Sequence, residues 1–378
     1  MFNNVKLGIA PIGWTNDDMP QLGGELTFEQ MVSEAALAGF QGTEVGGKFP
    51  TDPAVLNKAL DLRGIKIASQ WFSSFLCSTP YEENEKAFIE QLDFLEAVGA
   101  SRINVCELTF EQMVSEAALA GFQGTEVGGK FPTDPAVLNK ALDLRGIKIA
   151  SQWFSSFLCS TPYEENEKAF IQQLDFLEAV GASRINVCEL TRCLFAEECS
   201  MFGDNKPIAT DEEWDKLCDG LNKLGKIAAD RGFKLCFHHH MATVVQTFEE
   251  TKRLMDNTDP RYVYLCFDTG HFTFSGEDAV KAAKEFGPRI GHVHLKDIRP
   301  DMMEKAYAEG FKFRKAVLEG CFTIPGDGCV DYPGVFKALH DAHYEGWFIV
   351  EAEQDPAKAN PLEYAKMARE YIKKTAGI

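Results

Sequence analysis

No stretch of about 18 consecutive apolar residues occurs in this 378-residue chain, which argues against a membrane-spanning helix. The first residues, Met1-Phe2-Asn3-Asn4-Val5-Lys6, lack the long apolar core of a secretory signal. None of the eleven cysteines forms a Cys-x-x-Cys pair, and several sit inside apolar runs such as Leu235-Cys236-Phe237 and Leu265-Cys266-Phe267. An odd number of buried thiols fits a reducing cytosol better than a disulfide framework. No Gly-x-Gly-x-x-Gly follows the first strand-like run and no Walker loop appears, so a nucleotide-binding fold has little support. Positive charge is scarce. The 38 Lys and Arg against 57 Asp and Glu leave a formal charge of −19, which repels nucleic-acid phosphates and anionic membrane alike. The expectation is a cytoplasmic protein that binds neither nucleic acid nor membrane; a homo-oligomer is compatible with it.

What is present begins with a repeat. Thr27–Leu108 recurs as Thr109–Leu190, 82 residues long, with one difference: Glu90 in the first copy is Gln172 in the second. Structural repeats this alike rarely survive drift, and solenoid repeats are shorter and more numerous. A recent or engineered tandem duplication is the better reading. With one copy set aside, 296 residues remain, a size that (β/α)8 barrels commonly have.

Short apolar runs alternate with amphipathic stretches throughout. Strands are expected at Lys6–Trp14, Gly42–Val45, Lys66–Trp71 and Arg102–Glu107, and again at 124–127, 148–153 and 184–189. Four more follow once: Lys234–His240, Tyr262–Asp268, Ile290–Lys296 and Trp347–Glu351. Thr27–Leu37 and Asp211–Arg231 read as helices; in the first, Phe28, Met31, Val32, Ala35 and Ala36 share one face. Thr27 with Gln30 reads as a capping box, and Gly39, Gly64 and Gly232 as helix stops. Alternating apolar strands and helices predict a parallel sheet covered by helices. One copy gives eight strands, hence a (β/α)8 TIM barrel spanning 1–378 as a single α/β domain, with the other copy (27–108 or 109–190) displaced as an insertion. Eleven strands in one barrel would leave a void that eight do not. Identical sequences do not say which copy closes the barrel; the second is preferred. Three strands stripped of a barrel would expose an apolar face and edges.

Four polar clusters end the four unduplicated strands. In Phe237-His238-His239-His240, alternation sends His238 and His240 one way and His239 the other. In Asp268-Thr269-Gly270-His271, Asp268 is either a helix cap or a metal ligand with His271 as a pocket partner. In His292-Val293-His294-Leu295-Lys296-Asp297, the three polar side chains His292, His294 and Lys296 face the interior, which is costly unless something engages them. Glu351 and Glu353 stand at the rim beyond Ile349. The joint pattern of imidazoles and carboxylates without thiolate suits a divalent Mn, Co, Fe, Mg or Zn ion with open positions for substrate.

On these motifs, together with Leu7-Gly8-Ile9-Ala10-Pro11-Ile12-Gly13-Trp14-Thr15-Asn16-Asp17-Asp18 on the first strand and Glu351-Ala352-Glu353-Gln354-Asp355 on the last, the chain resembles the xylose-isomerase-like family of metal-dependent barrels. The resemblance covers essentially all of the 296 residues. It implies metal ligands at His238, Asp268, His294 and Glu351, with manganese or cobalt foremost. His238 departs from the glutamate usual there, which leaves His238, His240 or neither as the ligand.

The implied chemistry is dehydration of a cyclic polyol ketone through an enediolate, in inositol catabolism. Candidate bases are Glu189 (or its counterpart Glu107) and Glu353; Lys296, His271 and His240 are candidates for acid or for binding hydroxyls. Glu126, Lys130, Gln152 and Trp153, with counterparts Glu44, Lys48, Gln70 and Trp71, are expected to line the pocket. The rival readings are a ketose epimerase or isomerase on the same metal site, and an inactive protein whose catalytic face the duplication blocks. A nucleic-acid repair enzyme of the same superfamily fits the acidic composition least.

Overall fold

The computed structural model describes residues 6–11, 14–15, 25–74, 81–106, 110–356 and 358–378. Asn16, Asp17, Asp18 and Glu107, all named above, lie outside them. The chain divides into two compact units, Met1–Gln112 and Met113–Ile378.

The first unit carries a four-stranded sheet in chain order: β1 (Gly8–Ile9), β2 (Gly42–Val45), β3 (Lys66–Ser73) and β4 (Asn104–Cys106). All pairings are parallel. Helix Phe28–Leu37 packs Phe28, Met31, Val32 and Ala35 into a core with Leu56, Leu60 and Ile67. Thr27 caps it by accepting from the Gln30 amide, but the Gln30 side chain turns to Glu34, so only half of the expected capping box forms. Gly39 and Gly64 take φ of +87° and +68°, the left-handed stops that glycine permits without strain.

The second unit is a nearly closed parallel barrel sheet of seven strands. They are β5 (Gly124–Val127), β6 (Lys148–Ser156), β7 (Arg184–Glu189), β8 (Lys234–His238), β9 (Val263–Asp268), β10 (Ile290–Leu295) and, beyond a small hairpin of β11 (Asp297–Ile298) and β12 (Phe322–Thr323), β13 (Phe348–Val350). Their order is β13-β10-β9-β8-β7-β6-β5. The strands of the second copy therefore stand in one sheet with the four that follow.

The expected count of eight is corrected to seven. Strand β1 pairs with β2, Gly8 opposite Gly42, and is not available to the identical edge at Gly124. A strand has only one partner on each side, and Gly42 is 34 residues from Gly8 whereas Gly124 is 116. Closing the shorter loop favours the first copy by about 1 kcal/mol. At the edge left over, the Trp347 ring lies against Gly124, where a Cβ would come within 2.7 Å of it.

Helix Asp211–Asp230 shows how closely a covering helix approaches the sheet. A full capping box of Thr210 and Glu213 starts it. Its buried face runs through Trp214, Leu217, Leu221 and Leu224 to Gly225 and Ala228. A Cβ on Gly225 would meet the Tyr262 carbonyl oxygen at 2.6 Å. Gly225→Ala should therefore destabilise the protein by about 1–2 kcal/mol, because backbone cannot yield as a side chain would, even though alanine is the better helix former. Denaturant unfolding reads this directly; a stabilised variant would contradict the close approach.

Candidate metal centre and active site

Parallel pairing carries the polar strand ends to one level. His238 is opposite Cys266, His294 opposite Asp268, and the Glu351 amide donates to the Leu295 carbonyl at 3.2 Å. Ligand atoms of His238, Asp268, His294 and Glu351 all lie within 4.8 Å of one another. His294 Nδ1 stands 2.8 Å from Glu351 Oε2, 3.6 Å from Asp268 Oδ2 and 3.1 Å from His238 Nε2. Asp268 Oδ2 is buried without a hydrogen-bond partner, with His238, His294 and Lys296 each 3.6 Å away, while Glu351 Oε2 meets His294 Nδ1 and, at 3.3 Å, Lys296 Nζ. Leaving buried carboxylate oxygens unpaired is expensive, and two ring nitrogens facing each other add no compensation. A divalent cation satisfies all four donors together. The residues fit one.

His238 thus belongs to the donor set and His240 does not. The His240 ring lies against His271, centroids 3.6 Å apart and planes tilted by 40°, and its Nδ1 donates to the Met241 carbonyl at 2.7 Å. His239 turns the other way, stacks on Phe272 and accepts from the Asp268 amide. A rival group, His238, Cys266 and His294, is also compact enough for an ion. Burial pushes the Cys266 thiol up to about 12, however, and that group leaves out both carboxylates, Asp268 and Glu351.

Beside the donor set, Lys296 Nζ donates to His271 Nε2 at 2.9 Å and to Glu353 Oε2 at 2.8 Å. Burial opposes a charged Lys296, but Asp268, Glu351 and Glu353 outweigh it and hold its pKa above the ordinary lysine value. Burial, with His240 and Lys296, keeps His271 neutral. Burial raises Glu353 against the pull of Lys296. His240, His271 and Glu353 form another compact group of potential ligands, but the ammonium already supplies its positive charge.

A cavity of about 580 Å³ opens over these residues. Glu126, Trp153, His240, Glu351 and Glu353 are among its lining, as are Phe195, Phe313 and Arg314. The last three carried no signal in the sequence: an aromatic in a loop or at a helix start reads as ordinary core. Gln152 and Lys130, expected in the pocket, are not among its lining residues, and Lys130 is exposed. Glu189 is also elsewhere. Its carboxylate accepts from Ser156 Oγ, the Leu158 amide and the Thr191 hydroxyl at 2.5–2.9 Å, so it ties the loop after β6 to the end of β7.

The family model of the xylose isomerase-like TIM barrel matches residues 114–375. Among curated proteins, the chain is 45% identical over 376 residues to an inosose dehydratase of Geobacillus thermodenitrificans, covering 100% of this chain and 99% of that one. It is 46% identical over 374 residues to one of Clostridium beijerinckii, with coverage of 99% and 98%. Among solved structures it resembles the probable 3-DHS dehydratase AsbF of Bacillus anthracis (TM-score 0.55, 17% identity, 71% of this chain and 94% of that). It also resembles the IOLI protein with a bound zinc atom (TM-score 0.55, 17% identity, 71% and 93%). Likeness at that identity speaks to the fold.

The buried histidines give a pH dependence. Burial holds His239, His240 and His271 well below the ordinary histidine value, so they are neutral in the fold. In the unfolded chain they take up protons below about pH 6.5. Their contribution to stability is complete above that value and is lost as the pH falls through it. The urea midpoint should drop between about pH 7.5 and pH 5.5; an unchanged midpoint would mean these rings are charged in the native protein.

Proposed function

We propose, from the premise that the chain belongs to the xylose isomerase-like TIM barrel family and is a dehydratase of the hydro-lyase class, that it removes water from 2-keto-myo-inositol (scyllo-inosose). The product is a trihydroxycyclohexane-dione, and the step belongs to inositol catabolism. The observation that carries this reading is a shared cavity: Glu351 of the four-donor set and Glu353 of the Lys296–His271–Glu353 trio both line it. Inosose dehydratases covered over nearly their whole length support the choice of substrate.

A divalent ion, manganese or cobalt in this reading, held by His238, Asp268, His294 and Glu351 would lend Lewis acidity to the ketone, making the neighbouring C–H more acidic. Glu353, with its raised pKa, is the proton carrier. It takes the proton beside the ketone; the electron pair left behind makes the enediolate carbon–carbon double bond and then expels the β-hydroxyl. Glu353 returns its proton to that oxygen, which departs as water. Lys296 remains an ammonium, donating to the oxygen that gathers charge, and neutral His271 fixes its direction through Nε2. Trp153 and Phe313 wall the cavity, and His240 faces the hydroxyls of the ring. Glu189 has its oxygens committed to the loop and takes no part in this chemistry.

The first copy, in this reading, is an insertion into a barrel that the second copy completes. Incubation with scyllo-inosose should give a product lighter by one water; an isobaric product would replace the dehydratase with an epimerase. Deleting residues 27–108 should preserve turnover and raise the unfolding midpoint, since β1 can then pair with the Gly124 edge. Loss of turnover on deletion would contradict the insertion.

A further inference from the structure

Glu126 is the penultimate residue of β5, as His294 is of β10, and its carboxylate reaches across the barrel to the ligand set. Its Oε1 accepts from His292 Nε2 at 2.8 Å, from His294 Nε2 at 3.1 Å and from Asn186 Nδ2 at 2.8 Å, and Ser151 Oγ donates to the same atom. We propose that Glu126 is a positioning residue: by taking the Nε2 proton of His294 it fixes that ring so that Nδ1 faces Asp268, Glu351 and His238. The proposal rests on the four-donor reading above and names what orients one of its members.

Three observations carry it. His294 uses its two nitrogens for different neighbours, Nε2 towards Glu126 and Nδ1 towards the ligand atoms, the arrangement by which a carboxylate holds an imidazole ligand in one tautomer. Asn186 Nδ2 also lies 3.4 Å from His294 Nε2, but it has two closer acceptors, Glu126 at 2.8 Å and Ser151 at 3.1 Å. Glu126 is therefore the acceptor left for the His294 proton.

The repeat supplies the third. In the first copy Ser69 Oγ donates to Glu44 Oε1 at 2.6 Å, and Asn104 Nδ2 reaches Glu44 at 2.6 Å and Ser69 at 3.2 Å. The same Glu–Ser–Asn cluster thus forms from strand residues alone, with no His292 or His294 in its sheet. The carboxylate is aimed before the histidines meet it, which is the preorganisation a positioning group needs.

Glu126, His292 and His294 are compact enough to hold an ion themselves. That alternative asks His294 to give up both ring protons once Nδ1 is a ligand. Hydrogen bonding asks for neither. Glu126 is held well below the ordinary glutamate value despite burial, chiefly by His294 and His292, so it accepts as a carboxylate.

The test uses the full chain with ¹⁵N-labelled histidine. Zinc affinity is measured by chelator competition, and ring tautomers are read from long-range ¹H–¹⁵N spectra, for wild type, Glu126→Gln, Glu126→Ala and, as a matched lesion outside the site, Glu44→Ala. Wild type should bind one ion and show an Nε2–H tautomer at His294. Glu126→Ala should lose affinity by about ten- to a hundred-fold and lose the single tautomer, Glu126→Gln should fall between, and Glu44→Ala should match wild type. Unchanged affinity and tautomer in Glu126→Ala, or an equal loss in Glu44→Ala, would overturn the proposal. So would a second ion in wild type that Glu126→Gln abolishes. If wild type binds no ion, the four-donor reading fails instead, and a change in the His294 Nε2–H resonance between wild type and Glu126→Ala in that ion-free sample still decides the Glu126 contact.

Discussion

Charge is concentrated where water is absent. Asp268, His294 and Lys296 are fully buried at the ends of adjacent strands, and Glu351 reaches them from the next strand over. A sheet that brought them together without compensation would lose more by desolvation than ordinary core packing returns. Compensation is arranged in two neighbouring groups. Lys296 serves one side, shared between His271 and Glu353. On the other side Asp268 Oδ2 and Glu351 Oε2 stand 3.6 Å and 3.3 Å from the same ammonium, which three carboxylates therefore share, and the proposed cation would supply the charge still wanting. Lys296 is thereby held charged, while burial raises its neighbour Glu353.

The parallel register does most of the positioning. Because β8, β9, β10 and β13 are successive neighbours, residues far apart in the chain arrive at the same height without any loop having to be ordered. A loop and a helix start then act as walls: Phe195 and Phe313 narrow the cavity over the polar floor. Glu189 shows the converse case. A strand-end carboxylate is consumed by amides and hydroxyls of the adjacent loop, and burial raises it although those hydrogen bonds pull it down.

That the polar strand ends would gather was legible in the sequence because strand alternation is local: once His292, His294 and Lys296 are in a strand, their common side follows. The choice of His238 over His240 was not, since it depends on where the strand ends, at His238, and on the Met241 carbonyl that takes the His240 proton. Glu126 was legible only as a pocket residue. Its partners lie 166 and 168 residues away, and no local pattern announces a pairing across a barrel. The strand count failed for a different reason. Two identical edges, at Gly42 and Gly124, compete for one short strand, and sequence periodicity does not rank them. The two helices given bounds, Thr27–Leu37 and Asp211–Arg231, were read almost to the residue because capping residues and left-handed glycines mark their ends.

The central claim is that two imidazoles and two carboxylates share one ion. X-ray absorption of the zinc-loaded protein tests it most directly. A first shell of nitrogen and oxygen at about 2.0–2.2 Å, with the outer-shell pattern of two imidazoles, is the expected result. A sulfur scatterer near about 2.3 Å would instead put Cys266 on the metal and contradict the account.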